Sequence, residues 1–208
     1  MLTIDLIKEN LNLQNKVFVG YSGGPDSSVL LDLCVKLREK SDINLSAIHV
    51  NHNLSKKCMD WERHCIDICK QLNVNLVIES AQITSNGAGL ESAARQARYK
   101  IFRNILKEND QIILGHHSDD VAETIFMRIL RGTGIDGIEG PAHKRNIGQG
   151  ELIRPLIRVP KIEIMKYLKV NKLNFIEDDT NEDLTFDRNF LRHKIFPLLE
   201  DRWKDFPN

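Results

Sequence analysis

Four short apolar runs alternate with longer stretches of helical spacing along the first two thirds of the chain. Val17, Phe18 and Val19 read as a buried strand. Val29, Leu30, Leu31 and Leu33 supply one face of a helix that begins near Asp26 and runs to about Lys40. The alternation then recurs. A strand over Leu45–Asn51 precedes a helix from about Lys56 to Leu72. Val74–Ser80 leads through a glycine-containing loop to a helix from about Leu90 to Lys107, and Gln111–His117 leads into one from about Asp119 to Leu130. Strands separated by helices of this length predict an α/β fold, a parallel twisted sheet with helices on both faces, because each parallel crossover carries a helix that must cover the sheet. After Arg131 the texture changes. RGTGIDGIEG is a glycine-rich loop, KRNIGQGELIRPLIRVPKIEI reads as a loop, a short strand and then a helix, and a final helix spans about Asp187–Leu199. The expected division is a core over residues 1–135 and a small, mainly helical appendage over residues 136–208.

On such sheets ligands sit at the carboxyl ends of the strands, and the polar clusters fall there: SGGPDS (Ser22–Ser27), HVNH (His49–His52) and GHHSDD (Gly115–Asp120). In SGGPDS, Gly23 and Gly24 let backbone amides approach an anion closely. Pro25 suits the first helical turn, and Ser22 and Ser27 offer hydroxyls. No lysine lies between Lys16 and Lys36, and no third glycine follows Gly24, so neither a Walker loop nor a dinucleotide fingerprint fits. A carboxylate at Asp26 beside a phosphate calls for a cation, which suggests Mg²⁺; the plainer account is that Asp26 and Ser27 cap the helix.

Further along, Asp119, Asp120 and Glu123 gather three carboxylates at a helix N-terminus beside His116 and His117. A capping box explains one or two of these acids, but not the whole cluster. A carboxylate pair near a phosphate loop suits either a metal or an ammonium ligand. Arg95 and Arg98 add positive charge from another helix. Arg188 and Arg192, four apart, project from one face of the last helix, next to Asn189 and His193.

Charge and cysteines narrow the field. With 29 basic and 29 acidic residues a globally positive surface for nucleic acid is excluded. Between Pro141 and Lys172, however, eight basic residues face only Glu151 and Glu163, which leaves room for a local phosphate-facing patch. The four cysteines, Cys34, Cys58, Cys65 and Cys69, include no C-x-x-C pair, so a zinc or iron–sulfur site is not expected. No apolar run is long enough for a bilayer, and the first residues carry early charges without a signal pattern, so a cytoplasmic protein without a membrane partner is expected.

SGGPDS resembles the pyrophosphate-binding motif of the N-type ATP pyrophosphatases, whose shared chemistry is cleavage of ATP between the α and β phosphates. Within that superfamily, the order HVNH, ESAARQARY, GHHSDDVAETIFMRILRG and EDDTN…RNFLRH is similar to that of the tRNA(Ile)-lysidine synthetases across nearly the whole chain. The resemblance implies a Rossmann-like PP-loop fold and an ATP-dependent C–N ligase. Such an enzyme adenylates C2 of the wobble cytidine in an isoleucine tRNA with a CAU anticodon. The side-chain amine of free L-lysine then attacks, leaving lysidine, AMP and pyrophosphate.

By the same resemblance Ser22, Gly23, Gly24, Pro25, Asp26 and Ser27, with His52, hold ATP, and Asp26 takes Mg²⁺. Asp120 and Glu123 grip the substrate lysine. His117 stands near the cytosine, and Arg95, Arg98, Arg131, Arg188 and Arg192 contact phosphate or tRNA. A homodimer stays open. Family members usually continue past the RNFLRH helix into tRNA-gripping domains that this sequence lacks. A tRNA thiolation enzyme is the alternative enzyme, although its cysteine spacing is missing. A nucleotide-binding regulatory module is the non-enzymatic rival, against which the acid cluster speaks.

Overall fold

Apolar alternation in the strands is two-sided. Val17 and Val19 point into one buried cluster and Phe18 into another. The computed structural model describes residues 2–53, 57–83, 89–134, 139–203 and 206. Strands β1 (Val17–Gly20), β2 (Leu45–Asn51), β3 (Asn75–Ser80), β4 (Gln111–Ile113), β5 (Lys144–Ile147) and β6 (Gly150–Ile153) form one sheet in the order β3-β2-β1-β4-β6-β5. All neighbours are parallel except β5, which runs antiparallel to β6.

On one face, α1 (Ile4–Lys8), α2 (Pro25–Arg38), α3 (Cys58–Gln71) and α6 (Lys161–Asn171) share a core with Val17, Val19, Leu45, Ala47, Ile113 and Ile153. On the other, α4 (Leu90–Ile105) brings Tyr99 and Phe102 against Phe18, Ile48, Ile112 and Leu152. The α/β sheet with helices on both faces is therefore the observed architecture. No described helix is long and apolar enough to cross a membrane.

The C-terminal helical segment docks on α5 (Ser118–Leu130). It runs as α7 (Asp187–Phe190), a π-helical turn over Leu191–Ile195, and α8 (Phe196–Arg202). Phe126 of α5 meets Phe196 and Phe206 edge to face, with ring centroids 5.3 and 5.8 Å away, a geometry aromatic quadrupoles favour. Leu191 and Ala122 complete this small third core.

Two expectations change. The stretch after residue 139 holds a hairpin, Lys144–Ile147 against Gly150–Ile153, where a single short strand was expected. The sheet thus continues beyond the region assigned to the core, because β6 lies parallel to β4 and buries Leu152 and Ile153. The expected boundary at 135/136, the start of α3 at Lys56 and part of each glycine-containing loop lie outside the described residues.

Strand order reverses between β1 and β4, and the loop that leaves each of these strands has a glycine at a close approach. Gly23 has φ +83°, and a Cβ there would sit 2.6 Å from Ile176 Cδ1. Gly115, just past β4, lies so close to the first turn of α2 that a Cβ would be 2.9 Å from the carbonyl carbon of Asp26. Gly115→Ala is therefore expected to destabilise the fold by about 1–3 kcal/mol through this clash with backbone. Urea unfolding followed by circular dichroism measures it; a loss below about 0.5 kcal/mol, the size of an ordinary surface change, would contradict the close approach.

Candidate active site

Gly24 caps α2 without any side chain to accept from its first-turn amides, and Pro25 follows at the first helical position. Such an end presents N–H groups to an anion. The serines shape the loop that leads there. Ser22 N–H donates to Ser27 Oγ (3.2 Å), Gly24 N–H to Ser22 Oγ (3.3 Å), and Ser27 Oγ–H to the Gly24 carbonyl (3.0 Å). Ser27 is buried and committed to this internal network. The capping account of Asp26 and Ser27 does not hold. Asp26 instead turns toward the β4 side, with Oδ1 2.6 Å from Lys161 Nζ and 3.7 Å from His117 Nε2.

His117, 3% exposed, is the hub. As the N-cap of α5 it donates its backbone N–H to Asp120 Oδ2 (3.0 Å). Its ring lies 3.5 Å from both Asp119 Oδ1 and Asp120 Oδ2. Burial pushes the imidazole pKa down, but Asp119, Asp120 and Asp26 outweigh it, so the charged form is favoured. Asp119 also accepts the Lys161 backbone N–H (2.9 Å) and the Ser118 hydroxyl (3.2 Å). Burial raises its carboxyl, yet these partners and His117 bring it down to about 2. Asp120 is likewise held below its ordinary value: burial opposes ionisation, and His117, through its ring and its backbone N–H, together with Arg188 outweighs it.

His116 behaves in the opposite way. Burial and then nearby arginines, against the pull of Asp120, drop its pKa to about 3. Arg154 Nε donates to its Nδ1 at 3.1 Å, so the neutral ring carries its proton on Nε2. Two adjacent histidines are thus pushed apart in protonation.

Glu123 has no solvent exposure and is committed to two guanidiniums, Arg192 Nε at 2.7 Å and Arg188 Nε at 3.2 Å. Burial raises its carboxyl despite both partners. In this structure Glu123 ties α7 and the π-helical turn to α5, and Arg188 reaches on to Glu91 at 2.6 Å. Asn189, also buried, donates to the carbonyls of Thr180 and Asp183. Arg95 and Arg98 flank Tyr99 on α4. His52 is electrostatically linked to Arg98, and burial together with that charge lowers its imidazole to about 4. Arg131 is not brought to this site: it is exposed at the far end of α5, about 20 Å of helix from Ser118.

Lys161, His116 and Arg154 complete the site without having been singled out as site residues. Lys161 and Arg154 belong to the basic stretch between Pro141 and Lys172. That stretch does not form one surface, since Arg154 is buried, Lys144 pairs with Glu151 and Lys161 with Asp26. Among the described residues no trio of His, Cys, Asp or Glu is arranged to hold a metal ion. Asp26 could give Mg²⁺ one carboxylate, and a nucleotide's phosphates would have to supply most of the other ligands.

The PP-loop domain family matches residues 3–199. Among curated relatives, the tRNA(Ile)-lysidine synthase of Pseudomonas fluorescens (strain Pf0-1) is 45% identical over 186 residues, 89% of this chain and 42% of that protein. Those of Legionella pneumophila (strain Paris) and Proteus mirabilis (strain HI4320) are 39% identical, covering 90% and 98% of this chain and 43% and 46% of theirs. The chain spans less than half the length of these relatives. Of solved structures, the U34-tRNA thiolase NcsA from Methanococcus maripaludis superposes with a TM-score of 0.73 at 20% identity, over 96% of this chain and 72% of that one. That likeness concerns the fold.

The depressed Asp119 carboxyl has a consequence for stability. Its folded pKa of about 2 lies below the ordinary 3.8, so the unfolded chain binds more protons between these values. The ionic contribution is present above pH 4 and lost as pH falls toward 2. Asp119→Asn is expected to cost about 2 kcal/mol at pH 6, with the gap to the unaltered protein shrinking below pH 4. Urea unfolding across that range checks it.

Proposed function

The chain belongs to the PP-loop domain family, and from that premise we propose that it carries the ATP-dependent part of a tRNA(Ile)-lysidine synthetase. The observation that carries this reading is the convergence on His117 of Asp26, from the glycine loop, with Asp119 and Asp120, from the start of α5. A triphosphate bound at the loop amides and a cationic amino acid bound at the carboxylates would therefore meet.

Charge supports the amino-acid half. Asp119 and Asp120 stand side by side at the start of α5, each 3.5 Å from the His117 ring. An ammonium group matches such a carboxylate pair, and Asp120 is the group we assign to hold it. Glu123 takes part through Arg188 and Arg192, as a positioning residue for the wall opposite α5. The loop amides bind phosphate, and Lys161 neutralises Asp26 and stands ready for a phosphate oxygen. Mg²⁺, when bound with ATP, would neutralise phosphate charge, with Asp26 as the protein's ligand. His117, as imidazolium, would stabilise negative charge on the activated cytidine–phosphate oxygen. In the reaction the C2 oxygen of cytidine takes the adenylyl group as pyrophosphate leaves. The lysine ammonium then gives a proton to solvent and its free amine bonds to C2. The bond from C2 to the adenylated oxygen breaks, AMP leaves with that oxygen, and the new nitrogen sheds its extra proton.

Thiolation fits less well. Cys65 and Cys69 are buried, and burial pushes their thiols up to about 12 and 11, away from the thiolate such chemistry needs.

The test is to incubate the protein with ATP, radiolabelled lysine and isoleucine tRNA, and to count label in the tRNA and AMP released. Asp26→Asn is expected to reduce AMP release about 100-fold or more while circular dichroism stays native. Asp120→Ala is expected to raise the KM for lysine more than that for ATP. Equal incorporation of arginine, or unchanged kinetics in Asp120→Ala, would overturn the assignment.

A further inference from the structure

On the face of the sheet opposite the phosphate loop, α4 and β5 enclose a surface depression of about 580 Å³. Arg95, Lys100, Arg103 and Arg145 line it around Tyr99, and no lining residue is acidic. The guanidiniums of Arg145, Arg95 and Arg98 lie 4.8, 5.1 and 5.9 Å from the Tyr99 ring centre. Arg95 and Arg154 both donate to the Tyr99 hydroxyl at 3.2 Å.

Arg154 is 2% exposed, and its hydrogen-bond partners are neutral: the Tyr99 hydroxyl, the Ala142 carbonyl and His116 Nδ1. Among the described residues none of Arg95, Arg98, Arg145 or Arg154 has a carboxylate within 4.0 Å. The nearby acids are used elsewhere, Glu91 by Arg188 and Glu151 by Lys144. Buried and crowded like charges are costly unless a counter-charge compensates them. For the buried Arg154 no such counter-charge stands among the described residues, and an anion seated in the depression would supply one. The cluster also pulls the Tyr99 hydroxyl below its ordinary pKa in spite of burial.

We propose that this depression is a docking site for backbone phosphates of the RNA substrate next to the reacting nucleotide. This rests on the reading that the substrate is a tRNA. Position favours RNA over the ATP phosphates. The glycine loop opens α2, which packs on the other face of the sheet from α4. Arg154 connects the depression to His116, beside the reaction centre at His117. A strand whose base reaches His117 would run its phosphates over Arg95 and Arg145. Tyr99 offers an edge for packing, and the exposed Lys100 and Arg103 extend the track along α4.

The experiment uses the whole chain and a fluorescein-labelled RNA stem–loop with a CAU loop, titrated by anisotropy at several salt concentrations. The variants are Arg145→Ala and Lys100→Ala, both exposed positions, with thermal melting to check folding. Each variant is expected to weaken RNA binding about threefold to tenfold, and to lower the slope of log affinity against log salt by about one, a change that a purely structural role would not produce. Unchanged RNA affinity and slope in both variants would overturn the site. So would a loss confined to inorganic pyrophosphate or ATP binding, which would assign the depression to free anions. Lysine transfer by the unaltered protein is scored separately. RNA binding that depends on Arg145 without lysine transfer supports the site and counts against the lysidine reading alone. Lysine transfer with RNA affinity indifferent to both variants overturns the site and leaves that reading standing.

Discussion

The site rests on one backbone approach, that of Gly115 to the first turn of α2 at Asp26. It occurs at the place where strand order reverses between β1 and β4, the position where an open parallel sheet splays its loops and leaves a crevice. Because no side chain stands between Gly115 and Asp26, His117, two residues on, comes within 3.7 Å of the Asp26 carboxylate. His117 can then touch an acid from α2 and two from α5 at once. The N-terminus of α6 closes the arrangement: Lys161 reaches Asp26 with its ammonium and Asp119 with its amide. Three helix beginnings are thereby linked to one another by charged groups, in addition to the apolar core that α2 and α6 share.

Around that knot the charges are sorted by side. Acids collect where α2, α5 and α6 begin, while guanidiniums without acidic partners collect along α4 and β5. His116 and His117 sit on the border and are driven in opposite directions by it, one neutral and one inclined to the charged form. Such a split between neighbouring titratable groups is how one site can offer both an electrostatic stabiliser and a neutral hydrogen-bonding ring at the same pH. It also gives the site polarity, with a cation-accepting half and an anion-accepting half.

Much of this was legible in the sequence, for identifiable reasons. The strand–helix units of the core were visible because Val17–Val19, Leu45–Asn51, Asn75–Ser80 and Gln111–Ile113 are apolar runs followed by helical spacing. SGGPDS and GHHSDD stood out as polar clusters where strands end. The β5–β6 hairpin was only half visible, because Lys144, Arg145 and Asn146 are exposed and leave Ile147 as the sole apolar residue of its strand. The contacts of Lys161 with Asp26, 135 residues away, and of Glu123 with Arg192, 69 residues away, have no local signature. Spacing put Arg188 and Arg192 on one helix face, but could not say that the face looks inward at a buried acid. Arg131 lies exposed at the C-terminal end of α5, away from the His117 cluster.

The antiparallel turn of β5 has a bearing on solubility. A sheet of this order has two open margins, β3 and β5, and an unpaired margin invites another chain to add a strand. Here the β5 margin is four residues long and exposes Lys144, Arg145 and Asn146, while the β3 margin ends in exposed Glu79 and Ser80. Short length and charge make the β5 margin a poor template for an added strand, so the polar residues that hide the hairpin from a hydrophobicity reading also blunt that edge.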